Sequence, residues 1–207
     1  MNLVDPTGKV VIGLDDQARQ NILYTLTEEE SKFIRFNEDG VIDADLLNQS
    51  SSTSENFEAL KTVVNSGISY YVSTASQYKV KNEIIQMHDQ STNGVVGTTL
   101  LPNAEHEPSP DDNVHIYVSN RLPDVEMVST TAHELFGHGY FYELKNQGYD
   151  VNPMHNMQNI DGGLDYIPEL DGYFPSIVRT DVNYKLVQQI KTVTNQARTN
   201  FQNRIKK

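Results

Sequence analysis

His133, Glu134 and His138 are the residues of this chain whose types and spacing could do chemistry together. Two imidazoles with a carboxylate directly after the first can chelate a divalent metal, while the carboxylate reaches a water bound to that metal. This is the arrangement needed for metal-assisted hydrolysis. In its usual form the two His stand four positions apart and share one face of a helix. Here they stand five apart. At roughly 100° per residue, a regular α-helix would leave the two rings about 140° apart, too divergent for one ion. A turn widened to i→i+5 bonding brings them back over one another. Gly137, beside the second His, is the residue most able to yield. The spacing therefore predicts a π-bulge around Phe136 and Gly137, inside a helix capped by Asp124, running to about Gln147 and stopped by Gly148.

A catalytic zinc takes three protein ligands and keeps one position for water. With no Cys in the chain, the third ligand has to be His, Asp or Glu. His155, in Asn152-Pro153-Met154-His155, follows the motif on a long polar stretch from Gly148 to Pro175 and is the first choice. Asp181, at the start of the last helix, is the second, and Glu169 and Asp171 stay open. In the mechanism these residues imply, Glu134 is the general base. It takes a proton from the metal-bound water and later passes it to the leaving amine. Tyr140, Tyr149, Tyr166, Tyr173 and Tyr184 are all available to steady the oxyanion.

The segment His133-Glu134-Leu135-Phe136-Gly137-His138 resembles the His-Glu-x-x-Gly-His zinc motif of dipeptidyl peptidase III over six residues. The strand-then-helix order of Val114–Val118 followed by the His-Glu pair is similar to zincin peptidases generally, and that resemblance implies that the strand aligns the substrate backbone. Asp181 with Tyr184 is similar to the Asp-x-x-Tyr of aspzincins, whose Asp binds the metal, although the rest of that motif is missing. The opening Asp5-Pro6-Thr7-Gly8-Lys9-Val10 resembles the end of the core in RHS-repeat proteins. His133 through Tyr140 resembles a segment of the metallopeptidase toxin domains that follow such cores. These likenesses imply a zinc-dependent hydrolase acting on protein or peptide, delivered as the effector domain of a larger secreted protein and countered by an immunity protein.

The elements that must position these residues read as α+β: a zincin-like domain with a small mixed or antiparallel sheet, an active-site helix and a C-terminal amphipathic helix. Residues 1–13 stand apart as a remnant of a preceding core or linker, and 14–207 form one domain. Asp15 or Asp16 caps a helix carrying Ala18, Ile22 and Leu26 and running into Glu28–Glu30, an acidic run expected to be solvated. Ser50–Ser54 is a loop before a helix over Glu55–Asn65 with Phe57, Leu60 and Val64 on one side. Strand texture follows at Tyr70–Val72, Val95–Leu101 and Val114–Val118. In the last of these, Val114, Ile116 and Val118 alternate with His115, Tyr117 and Ser119, as in a strand with one buried face. Leu186, Ile190, Val193, Ala197, Phe201 and Ile205 recur at helical spacing and mark the buried seam of the final helix. His88, His106 and His115 read as surface residues. Glu105, Glu107, Asp111 and Asp112 read as a solvated turn.

The net charge of −12 excludes nucleic acid and anionic membrane as default partners, because phosphate binding needs clustered Lys and Arg. No apolar run approaches the length of a membrane span, and Met1–Pro6 lacks the basic and apolar regions of a signal peptide. The competing reading is a non-catalytic binding module, in which the histidines pack or hold a structural zinc in a closed, four-ligand site.

Overall fold

The structure, a computed structural model, describes residues 10–89, 94–105, 108–153 and 181–206, with side chains in the last stretch from Lys185 onward. The fold is mixed α/β. Its main sheet has four strands in the order β1 (Val11–Gly13), β2 (Tyr70–Ala75), β6 (Val114–Ser119), β5 (Gly97–Leu100). β1, β2 and β6 run parallel, and β5 lies antiparallel to β6 at one end. A separate hairpin is formed by β3 (Gln77–Val80) and β4 (Glu83–Gln86). Its alternation is masked by the exposed charges Lys79, Lys81 and Glu83, so the sequence offers no apolar pattern for it.

Val11–Gly13 falls inside the stretch 1–13 that the sequence set apart as a remnant of a preceding core or linker. It pairs with Tyr70–Val72 instead, and Val11 is fully buried, so the sheet needs this strand to close its core. The outer edge of β1 is covered by the segment 40–42, which follows the first two helices, through Gly13 N–H to the Gly40 carbonyl and Ile42 N–H to the Val11 carbonyl. The opposite edge belongs to β5. Outside β5, His88 N–H donates to the Val95 carbonyl and Ser109 N–H to the Leu101 carbonyl, so among the described residues a further strand could add at that edge only beside Gly97 and Thr99.

Helices α1 (Asp16–Tyr24), α4 (Glu55–Val64) and α5 (Asp124–Ala132) pack on one face of the sheet together with α7 (Asp181–Ile205). As the apolar spacing predicts, Ala18, Ile22 and Leu26 are buried, as are Phe57, Leu60 and Val64. So are Val114, Ile116 and Val118, and on α7 Leu186, Ile190, Val193, Ala197 and Phe201. Ile205 is 63% exposed because the helix has run past the core by then. The hairpin covers part of the other face, with Tyr78 and Met87 packed on Leu100 and Tyr117.

The helix expected to run from Asp15 or Asp16 into Glu28–Glu30 is broken, with α2 (Glu28–Ser31) a separate short helix, and a further short helix, α3 (Ala44–Leu47), stands where the sequence carried no expectation. Thr27 starts α2 with a capping box, its hydroxyl accepting from Glu30 N–H while the Glu30 carboxylate accepts from Thr27 N–H. Glu30 is therefore buried rather than solvated, and also accepts from the Ser52 and Ser54 hydroxyls. Only Glu28 and Glu29 of that acidic run are exposed. On α7, Asn200 donates to the Thr25 carbonyl, and Arg204 donates to the carbonyls of Leu23, Leu26 and Thr27 where α1 ends. Cations belong at that end of a helix dipole. Among the described residues no helix is long and apolar enough to cross a membrane.

Candidate metal centre

α5 begins at Asp124, the first helical residue, with Pro123 at the cap position and no side-chain cap. The expected cap by Asp124 is thus displaced by one residue. From Ala132 the helix does not continue as α. His133–Gly139 is a π-helical stretch, followed by α6 (Tyr140–Asn146). Tyr140 N–H donates to the Leu135 carbonyl five residues back, which is the widened turn that the His spacing requires. Gly148, at φ +89°, ends the helix as predicted.

The π turn is gripped from both sides at its two glycines. A Cβ on Gly137 would lie 2.6 Å from Ile190 Cγ1 of α7, so the missing side chain is what lets α7 approach. A Cβ on Gly139 would lie 3.2 Å from the Tyr70 ring of β2, whose hydroxyl donates to the Gly139 carbonyl at 3.3 Å. Burial, followed by the nearby Glu143 charge, pushes the Tyr70 hydroxyl well above its usual pKa, so it remains a donor. Gln189 of α7 adds a long hydrogen bond to the Phe136 carbonyl at 3.5 Å.

The result is convergence. His133 Nε2 and His138 Nε2 lie 3.1 Å apart, with ring centroids 5.0 Å apart. Two nitrogens at the usual zinc distance of about 2.0–2.1 Å and at tetrahedral angles would be roughly 3.3 Å apart, so one ion fits between them. The backbone carbonyl of Pro153 lies within hydrogen-bond distance of His138 Nδ1. A carbonyl only accepts, so Nδ1 carries the proton and Nε2 presents its lone pair toward His133. Such a backing hydrogen bond is how metal-binding imidazoles are oriented. His138 is buried, and desolvation holds its pKa below the ordinary value in spite of the Pro153 bond, which favours the neutral ring that binds metals.

Glu134 points toward β5. Its Oε2 accepts from the Thr99 hydroxyl at 2.7 Å, and it is buried at 6% exposure. One ligand atom from each of His133, Glu134 and His138 lies within 4.8 Å of the others, so this group could hold a metal ion. Two imidazole nitrogens and a carboxylate are the kinds of ligand atom that hold a metal ion. Among the three, His133 is half-buried while Glu134 and His138 are buried.

The remaining sequence candidates divide by location. His155, Glu169, Asp171, Tyr166 and Tyr173 lie outside the described residues, and the side chains of Asp181 and Tyr184 are not described. His155 stands two positions beyond Pro153, the residue whose carbonyl backs His138. Tyr140 and Tyr149 line a groove between α4, α6 and α7 to which none of the three site residues contributes. His115 sits on β6, stacked on Tyr71 with Nε2 3.0 Å from Asp111 Oδ1, and takes no part in the group. His106 and Glu107 lie outside the described residues.

One expectation changes. The strand Val114–Val118, expected to align a substrate, is β6, and it is interior, bonded on both sides by β2 and β5. The strand beside the site is β5. Ser119 N–H donates to the Val96 carbonyl, so 96, 98 and 100 face β6, and the backbone groups of Gly97 and Thr99 point to the outer edge. Thr99 itself was missed. Thr98 and Thr99 are equivalent in composition. Only the register opposite Ile116, whose side chain lies in the helix-side core, turns Thr99 toward Glu134.

No family model, no curated protein and no solved structure matches this chain. The chemistry open to the site therefore follows from its own geometry.

Proposed function

We propose that this chain is a zinc-dependent peptidase of the zincin type, with His133 and His138 as metal ligands and Glu134 as general base. The observation that carries the reading is the 3.1 Å approach of two Nε2 atoms across a π turn. A helix adopts that widened turn at a cost, and π-bulges gather at functional sites. His155 is the proposed third ligand, with Asp181 the alternative.

Zinc bound there would supply a Lewis acid and a bound water acidified toward neutrality. The protein's own residues do the rest. Pro153 fixes the tautomer of His138, and the π turn brings His133 beside it. Glu134, held against β5, accepts the water proton and returns it to the leaving amine. The outward backbone groups of Gly97 and Thr99 offer an extended peptide an antiparallel or parallel partner beside Glu134. A main-chain mode of binding of this kind suits peptide and protein substrates. The likeness of residues 5–10 and 133–140 to RHS-associated toxin domains supports the second half of the proposal. In it the peptidase is the effector tip of a larger secreted protein, with an immunity protein as its partner.

The test is zinc content after purification without chelator, combined with casein cleavage. Glu134→Gln should keep the metal and lose about 10²–10⁴-fold in rate. His155→Ala and Asp181→Ala, compared for zinc content, identify the third ligand. A chain that binds no divalent metal refutes the reading. A chain that binds zinc in a closed four-ligand site and cuts nothing is the non-catalytic module instead.

A further inference from the structure

A carboxylate one residue from a metal-binding His is itself a competent metal ligand. If Glu134 took the position reserved for water, the site would close and the base would be lost. We propose that Thr99 prevents this: it is the positioning residue that ties the Glu134 carboxylate to the edge strand and so keeps it a base rather than a metal ligand. The inference rests on the peptidase reading above and specifies how that site is kept open.

Two independent features of β5 form the seat. The Thr99 hydroxyl lies 2.7 Å from Glu134 Oε2, within the range of a charge-assisted hydrogen bond, and 3.3 Å from the Glu134 carbonyl, so the carboxylate is the nearer acceptor for its single proton. Two residues earlier on the same strand face, Gly97 has no Cβ. One placed there would lie 2.7 Å from Glu134 Oε1 and 2.4 Å from Thr130 Cγ2. One carboxylate oxygen is thus held and the other is given room. Both features belong to a strand bonded along its length to β6, so the seat does not move with the helix. Thr99 is 2% exposed and Glu134 6% exposed, so water does not replace this bond at low cost.

The experiment compares wild type, Thr99→Val, Thr99→Ser and Thr99→Val/Glu134→Gln by calorimetric zinc titration and by peptide cleavage. Valine keeps the shape and removes the hydroxyl. With it, the released carboxylate should turn to the metal. Zinc should then bind several-fold tighter, and kcat should fall about 10–100-fold with KM little changed. The tightening should vanish when Glu134 is also Gln. Serine should restore both wild-type values. A residue that merely packs would instead lower zinc affinity and folding together, and serine would not rescue. Thr99→Val with wild-type or weaker zinc affinity overturns the proposal, as does unchanged kcat. A wild type that binds no zinc overturns this inference and the peptidase reading together. If zinc binds but no peptide is cut, tightened binding in Thr99→Val still supports the seat, and only the peptidase reading fails.

Discussion

Gly137→Ala tests whether α7 holds the π turn. In an ordinary helix interior this change stabilises by roughly 0.8–1.0 kcal/mol, because alanine loses less backbone entropy. Gly137 is not among the glycines with positive φ, so its backbone would accept alanine and the same gain would be expected. The contact geometry reverses the sign. The new methyl would lie 2.6 Å from Ile190 Cγ1 and 3.3 Å from Cδ1, against a comfortable carbon–carbon separation of about 3.5–4.0 Å. Ile190 is fully buried, so it has nowhere to retreat, and the two helices must part by about 1 Å. Overpacking of this kind costs about 1–3 kcal/mol, which leaves a net loss of up to about 2 kcal/mol after the propensity gain. For a domain of this size that is a fall of up to several degrees in Tm by calorimetry. Ile190→Ala alone should cost about 2–5 kcal/mol. In the double variant the methyl added at position 137 fills part of the hole, so the double should cost less than the sum, by about 0.5–3 kcal/mol of coupling. Zinc should stabilise the single Gly137 variant less than wild type, since the parted helices carry His138 with them. If Gly137→Ala raises Tm and adds independently to Ile190→Ala, α7 does not shape the turn and the account of its convergence fails.

Gly97→Ala should abolish cleavage while zinc content is kept, because its methyl would meet Glu134 Oε1 and Thr130 before any metal ligand; retained activity would refute the role of the strand. Added zinc should stabilise the fold in proportion to the logarithm of its concentration above Kd, by about 2.7 kcal/mol at a hundredfold excess and visible as a rising Tm, and Glu134→Gln should show the same rise. For Glu30, burial pushes the carboxyl pKa up, but hydrogen bonds from Ser52, Ser54 and Thr27 outweigh it and hold the pKa below the usual carboxylate value. Its folded pKa is depressed, so its stabilisation is present above the unfolded value of 4.5 and is lost as pH falls through the folded pKa. Denaturant titrations at pH 7 and pH 3 should therefore show Glu30→Gln costing stability at the first and much less at the second. Arg204→Met should lower stability by about 1–3 kcal/mol in a denaturant titration, by removing the charge-assisted hydrogen bonds that Arg204 gives to the Leu23, Leu26 and Thr27 carbonyls.

The parts of this molecule that were legible from residues alone were those governed by periodicity or by incompatibility. Ile22 and Leu26, or Leu186 through Phe201, declare a buried helix face at any distance from the rest of the chain. The i+5 spacing of His133 and His138 is an incompatibility with the regular helix around it, and it has a small set of physical resolutions, of which the π turn is one. What stayed illegible depends on partners remote in sequence. Nothing local distinguishes Thr99 from Thr98, or shows that Gly137 awaits Ile190 more than fifty positions later. The Thr27-x-x-Glu30 spacing is a local signal for the capping box, but the burial of Glu30 depends on the return of Ser52 and Ser54. Its place just before the helix suggests β6 as the strand that meets substrate. Which strand ends a sheet is decided by the order of pairing, and that order places Gly97–Leu100 outermost. The correction strengthens the chemical reading. An interior strand has no backbone groups to spare, whereas the edge strand sets its free backbone groups and the residues that seat Glu134 on the same two positions. If a peptide does add to that edge, binding and base alignment cannot be varied separately, and substitutions at Gly97 or Thr99 should disturb both at once.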